Sequence, residues 1–347
     1  MTKPAPHPAA RFVKLLPGFA ISAFFLWRVL RNLRLDHLRS MRLVEPQWIA
    51  VLIACLLADY ALRGYRWWSM LRIYRARYSA CVRVLLTSLA ANNILPFRVG
   101  DFMRIFAYAP DVNASSSAVL STVILERLLD IFTLFGFLVL GLSGTSVMLP
   151  PISLHGHTVG ILPLAKVIFV IAATGLLLLL FGTRFLHRVV QALVRRFGGH
   201  PRTRKVGEWA SLLFEAVLHL SFPQRIWLLV VSAGVWSCES AVFLACARMI
   251  GLVTGQRAPF LAASLANLSF LLPSAPGGIG PFDASAALAM RAQNVSSADA
   301  GLYALFVHVI LLFTITGVGG GWFLLHRAQR RPPIKPMSED LAELPHV

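Results

Sequence analysis

The chain has 347 residues, of which 57% are hydrophobic and only 14% are charged. A soluble domain typically carries about 25% charged residues, so the composition excludes an ordinary soluble protein and indicates an integral membrane protein. The net charge of +18 does not predict nucleic-acid binding, because no basic soluble domain remains once the apolar segments are set aside; arginines beside a membrane orient its spans instead.

Six apolar stretches are long enough to cross a bilayer, which takes about 20 residues of helix. They predict an all-α polytopic membrane protein with full spans at 12–30, 46–66, 115–145, 161–183, 224–249 and 303–326. We expect a single transmembrane domain over residues 1–327, with a basic amphipathic segment at 184–222 lying on the membrane surface. Residues 328–347 form a polar C-terminal tail.

Two further apolar stretches, 81–108 and 258–290, are interrupted in the middle by proline and glycine. The first reads SLAANNILPFRVGDF and the second SLANLSFLLPSAPGGIGPFD, so both run Ser-Leu-Ala, Asn, Leu-Pro, Gly and Asp in the same order. Proline interrupts a helix and glycine permits a tight reversal. The likeness predicts two re-entrant broken-helix hairpins that form an inverted-topology repeat around a binding site; a pair of proline-kinked spanning helices is the alternative. The predicted hairpin-forming residues are Pro96, Gly100, Pro273, Gly277, Gly278 and Gly280.

The distribution of arginine and lysine orients the spans. Loop 146–160 has no Lys or Arg, whereas loop 184–205 has seven, so the first is expected outside and the second inside. Both termini are then cytoplasmic, and the two hairpins enter from opposite sides. This topology places the Arg-rich residues 28–42 outside, which conflicts with the preference of basic residues for the cytoplasmic side.

Ionisable residues cluster at and after the first hairpin. Arg98, Asp101 and Arg104 lie in it, and Glu126, Arg127 and Asp130 follow in the next span. Charges at such depth cost several kcal/mol, roughly 2.5–3.5 each, and persist when they pair or line a polar path. One interpretation is a structural salt-bridge cluster. The other is a substrate site, in which Arg98 and Arg104 line a cavity and bind an anionic head group, since arginine forks fit phosphate.

Two other sets of charged residues lie within predicted spans. Asp59 is four residues before Arg63 and is expected to pair with it along one helix face. Glu239 has no partner nearby in sequence and is a candidate proton carrier. The four cysteines form no CxxC pair and the ten histidines do not cluster, so neither a metal nor another cofactor is expected.

Four ordered motifs carry a family resemblance: RGYRWWSMLR, NNILPFRVGDFMR, ILERLLD and LPSAPGGIGPFD. Together they resemble the flippase-like family named for the lysylphosphatidylglycerol synthase transmembrane region, over roughly residues 12–326. The resemblance implies lipid translocation, or a helper role beside lipid, polyprenyl-glycolipid or hopanoid synthesis. It covers the membrane part only, so lysyl transfer by an aminoacyl transferase domain is not implied. The matching positions are Arg66, Trp67, Asn93, Pro96, Gly100, Asp101, Arg104, Glu126, Arg127, Asp130, Pro273, Gly277, Gly278 and Gly280.

These observations predict a lipid flippase of the cytoplasmic (inner) membrane that moves an anionic or glycosylated polyprenyl- or phospholipid. A membrane-embedded transferase with Asp101, Glu126 or Asp130 as base, and a non-catalytic accessory protein beside a lipid-synthesis enzyme, remain the alternatives. No HExxH motif, phosphate-binding Gly loop with Lys, or nucleophile triad is present in the sequence, so an enzyme is not the leading prediction. The expected substrate-binding residues are Arg98, Asp101, Arg104, Glu126, Arg127, Asp130, Asn93 and Arg66.

Overall fold

The computed structural model describes residues 16–31, 43–143, 152–154, 157–197 and 217–329 apart from Pro273, together with a few helical residues between 207 and 214. Pro273, the polar tail and most of the Arg-rich residues 28–42 lie outside the described residues.

Helices make up most of the described chain. Their bounds are α1 Leu16–Leu30, α2 Trp48–Leu71, α3 Tyr78–Ile94, α4 Val99–Phe102, α5 Ser116–Ser143, α6 Ile161–Phe181, α7 Thr183–Phe197, α8 Phe222–Met249, α9 Ala258–Leu268, α10 Pro281–Arg291 and α11 Ser297–Gln329. Two short strands, β1 Ile152–Leu154 and β2 His157–Val159, pair antiparallel with Ile152 opposite Val159. The expected helical class is therefore confirmed, with one short strand pair added in the loop before α6.

Four helices of the described chain are long and apolar enough to cross a membrane: Trp48–Tyr74, Ile161–Phe181, Phe222–Met249 and Ser297–Arg327. They correspond to four of the predicted full spans. Helix α5 is equally long, with 28 residues, but carries Glu126, Arg127 and Asp130 in its middle. The first predicted span is described only from Leu16 onward, as a helix of 15 residues.

The first interrupted segment folds back on itself. Helix α3 ends at Ile94; the next residue, Leu95, has the extended backbone favoured before a proline, and Pro96–Arg98 turn the chain around. The return arm is α4 followed by the π-helical turn Met103–Ala107. It packs so closely on α3 that a β-carbon at Gly100 would lie 1.8 Å from the Ser88 carbonyl oxygen.

The ends of this segment meet at the same place. Arg83, near the start of α3, forms a 2.8 Å ion pair with Asp111, which follows the return arm. The chain therefore enters and leaves the first segment at the same end, as a hairpin does.

The second interrupted segment also reverses. Helix α9 and the return helix α10 are joined by turns in which Gly277, Gly278 and Gly280 have φ values of +70°, +75° and +95°, a region open mainly to glycine. Gly280 also lies against α1, where a β-carbon would come within 2.4 Å of the Ser22 carbonyl oxygen. The Ser22 hydroxyl accepts a 2.7 Å hydrogen bond from the Ala275 amide.

Each hairpin makes a close contact with a long helix from the other half of the chain. The first hairpin packs against α11, where a β-carbon at Gly319 would lie 2.1 Å from the Leu86 carbonyl oxygen. The second packs against α5, where a β-carbon at Gly141 would lie 2.7 Å from the Leu261 amide nitrogen. Small residues allow such close helix approach within membranes. Each hairpin thus contacts the last long helix of the other half, in addition to its packing within its own half.

The apolar core has two main parts. One lies where α8, α9, α10 and α11 meet and includes the buried Phe243, Phe282 and Tyr303; the Tyr303 hydroxyl donates a 3.0 Å hydrogen bond to the Phe243 carbonyl oxygen. The other lies around the start of the first hairpin and includes Trp67 and Leu129. Between them the charged residues of α2, α5 and α8 come together.

Candidate lipid-binding site

The tips of the two hairpins touch. A β-carbon at Gly277 would lie 3.4 Å from the Asn93 carbonyl oxygen, and Asn93 donates a 3.2 Å hydrogen bond to Thr316 of α11. Beside this contact lies a cavity of about 710 Å³ lined by both tips and by α2, α5, α8 and α11. The breaks in the two hairpins therefore lie beside the same cavity.

The cavity wall is apolar along much of its length and charged over part of it. Its apolar members include Phe102, Leu271 and Leu272, which are 57%, 62% and 47% exposed. Its charged members are Asp59, Arg63, Arg98, Arg127, Asp130 and Glu239. A space with these two kinds of wall suits a molecule that has an apolar part and a polar part.

Arg98 is the least engaged of these arginines. Its side chain is 45% exposed, and the nearest carboxylate, that of Asp101, is 3.8 Å away. Its backbone is left-handed, with φ of 52°, an uncommon conformation for a residue other than glycine. The turn after Pro96 holds this arginine at the cavity wall with most of its guanidinium donors uncommitted.

Arg104 lies elsewhere, which corrects the expectation that it lines the cavity with Arg98. It is fully buried and holds Glu126 with both terminal nitrogens, at 3.3 and 2.6 Å. Its guanidinium also lies 3.8 Å from the centre of the Trp67 ring. Neither Arg104 nor Glu126 is among the cavity-lining residues; they form a buried ion pair behind the wall.

Arg66 joins the carboxylates that the sequence placed on one face of α5. It is fully buried, 2.8 Å from Asp130 and 3.8 Å from Glu126, and it donates a 3.0 Å hydrogen bond to Ser232 of α8. Glu126 and Asp130 are four residues apart and share a helix face, so two ionised carboxylates there would repel each other. In the fold Arg66 lies between them and relieves that repulsion.

Arg127 connects this buried cluster to the cavity. Its side chain is 28% exposed and lies 3.4 Å from Glu126, 3.5 Å from Asp130 and 3.8 Å from Asp101. Its Nε atom has no hydrogen-bond partner within the described chain. That atom is itself buried, so Arg127 meets the cavity only through the exposed part of its side chain.

Glu239 has two partners far away in the sequence. It accepts hydrogen bonds of 2.5 Å from Arg63 of α2 and 2.5 Å from Asn267 of the second hairpin. Arg63 also forms the predicted pair with Asp59, at 2.8 Å. Glu239 is therefore not isolated; its role as a proton carrier stays a prediction.

The second hairpin tip is fixed by a histidine. His308 of α11 lies 2.8 Å from an Asp283 carboxylate oxygen and 2.9 Å from the Gly277 carbonyl oxygen. Asp283 also accepts the Gly280 amide at 2.9 Å. The matching Asp101 of the first hairpin instead accepts a 3.1 Å hydrogen bond from Asn92.

The predicted site residues are therefore divided by the fold. Those at the cavity are Asn93, Pro96, Arg98, Arg127, Asp130, Glu239, Gly277 and Gly278. Those behind it or in the hairpin arms are Arg66, Gly100, Asp101, Arg104, Glu126 and Gly280. Sequence reasoning missed Trp236, Asn267 and His308, whose positions at the cavity depend on contacts between distant helices. It predicted the Asp59–Arg63 pair but did not place that pair at the cavity, which it lines. Within the described residues no group of three or more His, Cys, Asp or Glu side chains is arranged to hold a metal ion.

Comparison with known proteins supplies a family. A family model described as the lysylphosphatidylglycerol synthase TM region matches residues 15–319, which confirms the resemblance carried by the four motifs. The protein named glycosyltransferase AglD from Haloferax volcanii is 25% identical over 304 residues, covering 80% of this chain and 48% of that protein. The chain thus spans about half the length of this relative. No solved structure matches.

Proposed function

Because the chain belongs to the lysylphosphatidylglycerol synthase transmembrane-region family, we propose that it moves a lipid with an anionic, phosphate-type head group across the cytoplasmic (inner) membrane. The observation that carries this proposal is the cavity of about 710 Å³ between the hairpin tips, with Arg98 at its wall. Ligand cavities are typically about 300–1,000 Å³, so this one is large enough for a head group and the start of its tails.

The two kinds of cavity wall support an amphiphilic substrate. Arg98 and Arg127 offer guanidinium donors, which fit phosphate oxygens in pairs. Exposed apolar side chains at Phe102, Leu271 and Leu272 would accompany the tails. A free anion would need only the arginines, whereas a lipid would use both the arginines and the apolar wall.

The contact of each hairpin with a long helix of the other half supports an inverted repeat and hence alternating access. In each half a long helix is followed by a hairpin and then by another long helix: α2, the first hairpin and α5, then α8, the second hairpin and α11. Gly319 meets the first hairpin and Gly141 meets the second, so the contacts are reciprocal. Repeats that exchange broken helices around a central site are the architecture of many secondary transporters. The proposed topology has both termini in the cytoplasm and the hairpins entering from opposite sides.

A membrane-embedded transferase is the second candidate, since the relative AglD is named a glycosyltransferase. The carboxylates that such an enzyme would use as base are Asp101, Glu126 and Asp130. A general base must be within hydrogen-bond reach of its substrate, but neither Asp101 nor Glu126 lines the cavity, and Asp130 binds Arg66 at 2.8 Å. This arrangement favours transport, or an accessory role beside a synthase, over group transfer.

Reconstitution tests the proposal. We expect vesicles containing the protein to move a tail-labelled phosphatidylglycerol between leaflets, without chemical change by mass spectrometry. Arg98→Gln should slow this movement by about tenfold or more, because a hydrogen bond to a charged group contributes about 1.5–3 kcal/mol. Arg291→Gln, which removes an exposed arginine outside the cavity, is the matched control and should leave the rate unchanged.

Three outcomes would contradict the proposal that lipid is moved through this cavity. Wild-type protein that moves no lipid rejects it outright, and conversion of the lipid supports a transferase instead. Equal rates for wild type and Arg98→Gln would show that movement does not pass through this cavity.

A further inference from the structure

Two separate groups of charged residues lie at and behind the cavity wall. The first, here called the acidic group, is Asp59, Arg63 and Glu239. Its two carboxylates share one guanidinium, at 2.8 and 2.5 Å. With all three ionised, its formal charge is two negative and one positive, hence −1.

The second group, here called the basic group, has the opposite imbalance. It contains Arg66, Arg98, Arg104 and Arg127 against Asp101, Glu126 and Asp130, linked by pairs of 2.6–3.8 Å. Four positive and three negative charges leave +1. Among the described residues no ion pair within 4.0 Å joins the basic group to the acidic group.

Trp236 lies between the two groups. The Arg63 guanidinium sits 4.8 Å from the centre of its ring, and its indole N–H donates a 3.1 Å hydrogen bond to Asp130. Both groups thus face one cavity, separated by about the width of an indole. Each balances the other while the cavity is empty.

An anionic head group at Arg98 would upset that balance. It would neutralise the basic group and leave the acidic group as an uncompensated buried charge, which is costly. A positive charge must then join the acidic group. A metal ion fits poorly, because both Asp59 oxygens are held by Arg63 and the Glu239 oxygens by Arg63 and Asn267. A proton needs no such set of free ligands.

We propose that the acidic group takes up one proton whenever the basic group binds an anionic head group, so that lipid and proton move together as an electroneutral cargo. This inference rests on the proposed function and adds its energy source. The proton comes from an acid of the buffered aqueous phase, which is left as its conjugate base, and it forms one O–H bond with a carboxylate of Glu239 or Asp59.

The surroundings of the acidic group connect it to the second hairpin. The groups that face it are Cys55, Tyr60 and Arg66 from α2, Asp130 from α5, Cys238 from α8 and Asn267 from α9. A protonated Glu239 would hold Arg63 and Asn267 less strongly than the carboxylate does. Asn267 belongs to the second hairpin, so proton uptake would loosen that hairpin as the head group arrives.

Calorimetry measures this coupling directly. The purified full chain in detergent is titrated with dihexanoyl phosphatidylglycerol in buffers of different ionisation enthalpy, which gives the protons taken up per lipid bound. We expect about one proton per lipid for the wild type, and near zero for both Glu239→Gln and Asp59→Asn with binding retained. Asp299→Asn, which removes a carboxylate outside the cavity but can keep the Ser296 cap, should still take up about one.

The result separates this proposal from transport. Absent proton uptake by the wild type, uptake that persists in both acidic-group variants, or absent lipid binding would overturn it. A protein that moves lipid in vesicles without taking up protons keeps the proposed function and loses this inference. Proton-linked binding without lipid movement would keep the coupled binding of lipid and proton but reject their transport.

Discussion

Replacing Arg104 by glutamine should destabilise the fold and leave the cavity intact. Arg104 is fully buried, binds Glu126 through two nitrogens and stacks on Trp67 at 3.8 Å. Removing one partner of a buried ion pair costs about 3–5 kcal/mol, because the other charge stays buried. The lost contact with Trp67 is worth up to about 2 kcal/mol by itself, but it is not additive with the pair. We therefore expect a loss of about 3–5 kcal/mol in the free energy of unfolding.

The matched control is Arg98→Gln, at an arginine that is 45% exposed and loosely paired. Substitutions at exposed residues of this kind usually change the free energy of unfolding by no more than about 0.5 kcal/mol. Unfolding in mixed detergent micelles, followed by circular dichroism, compares both variants with the wild type. Folded Arg104→Gln should bind lipid like the wild type, whereas Arg98→Gln should bind it weakly. A loss below about 1 kcal/mol for Arg104→Gln, or a binding defect in its folded fraction, would refute the division between buried pair and cavity.

Two further predictions concern topology and packing. A cysteine placed at Ser153 should react with an impermeant thiol reagent from outside and one at Thr203 should not, because the loop around Ser153 lacks basic residues; the reverse labelling would invert the proposed orientation. Gly319→Ala should cost about 1–3 kcal/mol of unfolding free energy by overpacking, since its β-carbon would meet Leu86 at 2.1 Å. Gly320→Ala, which meets nothing within 4 Å, is the control, and equal stability of both variants would contradict the close approach of α11 to the first hairpin.

The reversals of the chain were readable from the sequence because they depend on local chemistry. Pro96 and the glycines at 277, 278 and 280 act on their own backbone, and the structure reverses at both places. The pairing of Asp59 with Arg63 was also readable, because four residues on a helix bring side chains together. Family membership followed from ordered motifs.

The sequence did not predict which arginines line the cavity and which are buried behind it. The segment from Arg98 to Arg104 is not a regular helix, because Arg98 has a left-handed backbone and Met103–Ala107 form a π-helical turn. Helical periodicity therefore does not predict where the two side chains lie. The partner of Glu239 is 176 residues away, so only the packing of α2 against α8 brings Arg63 to it. The position of Arg66 between two carboxylates of α5 has the same origin.

The contact between the first hairpin and α11 also constrains how the molecule is made. The first hairpin leaves the ribosome early, yet the helix that covers its Leu86 surface, α11, is synthesised more than two hundred residues later. Until then, Asn93 at its tip lacks the Thr316 partner that it has in the finished fold. We therefore expect the contacts of the first hairpin to be completed only after the second half is inserted, because they join residues that are distant in sequence.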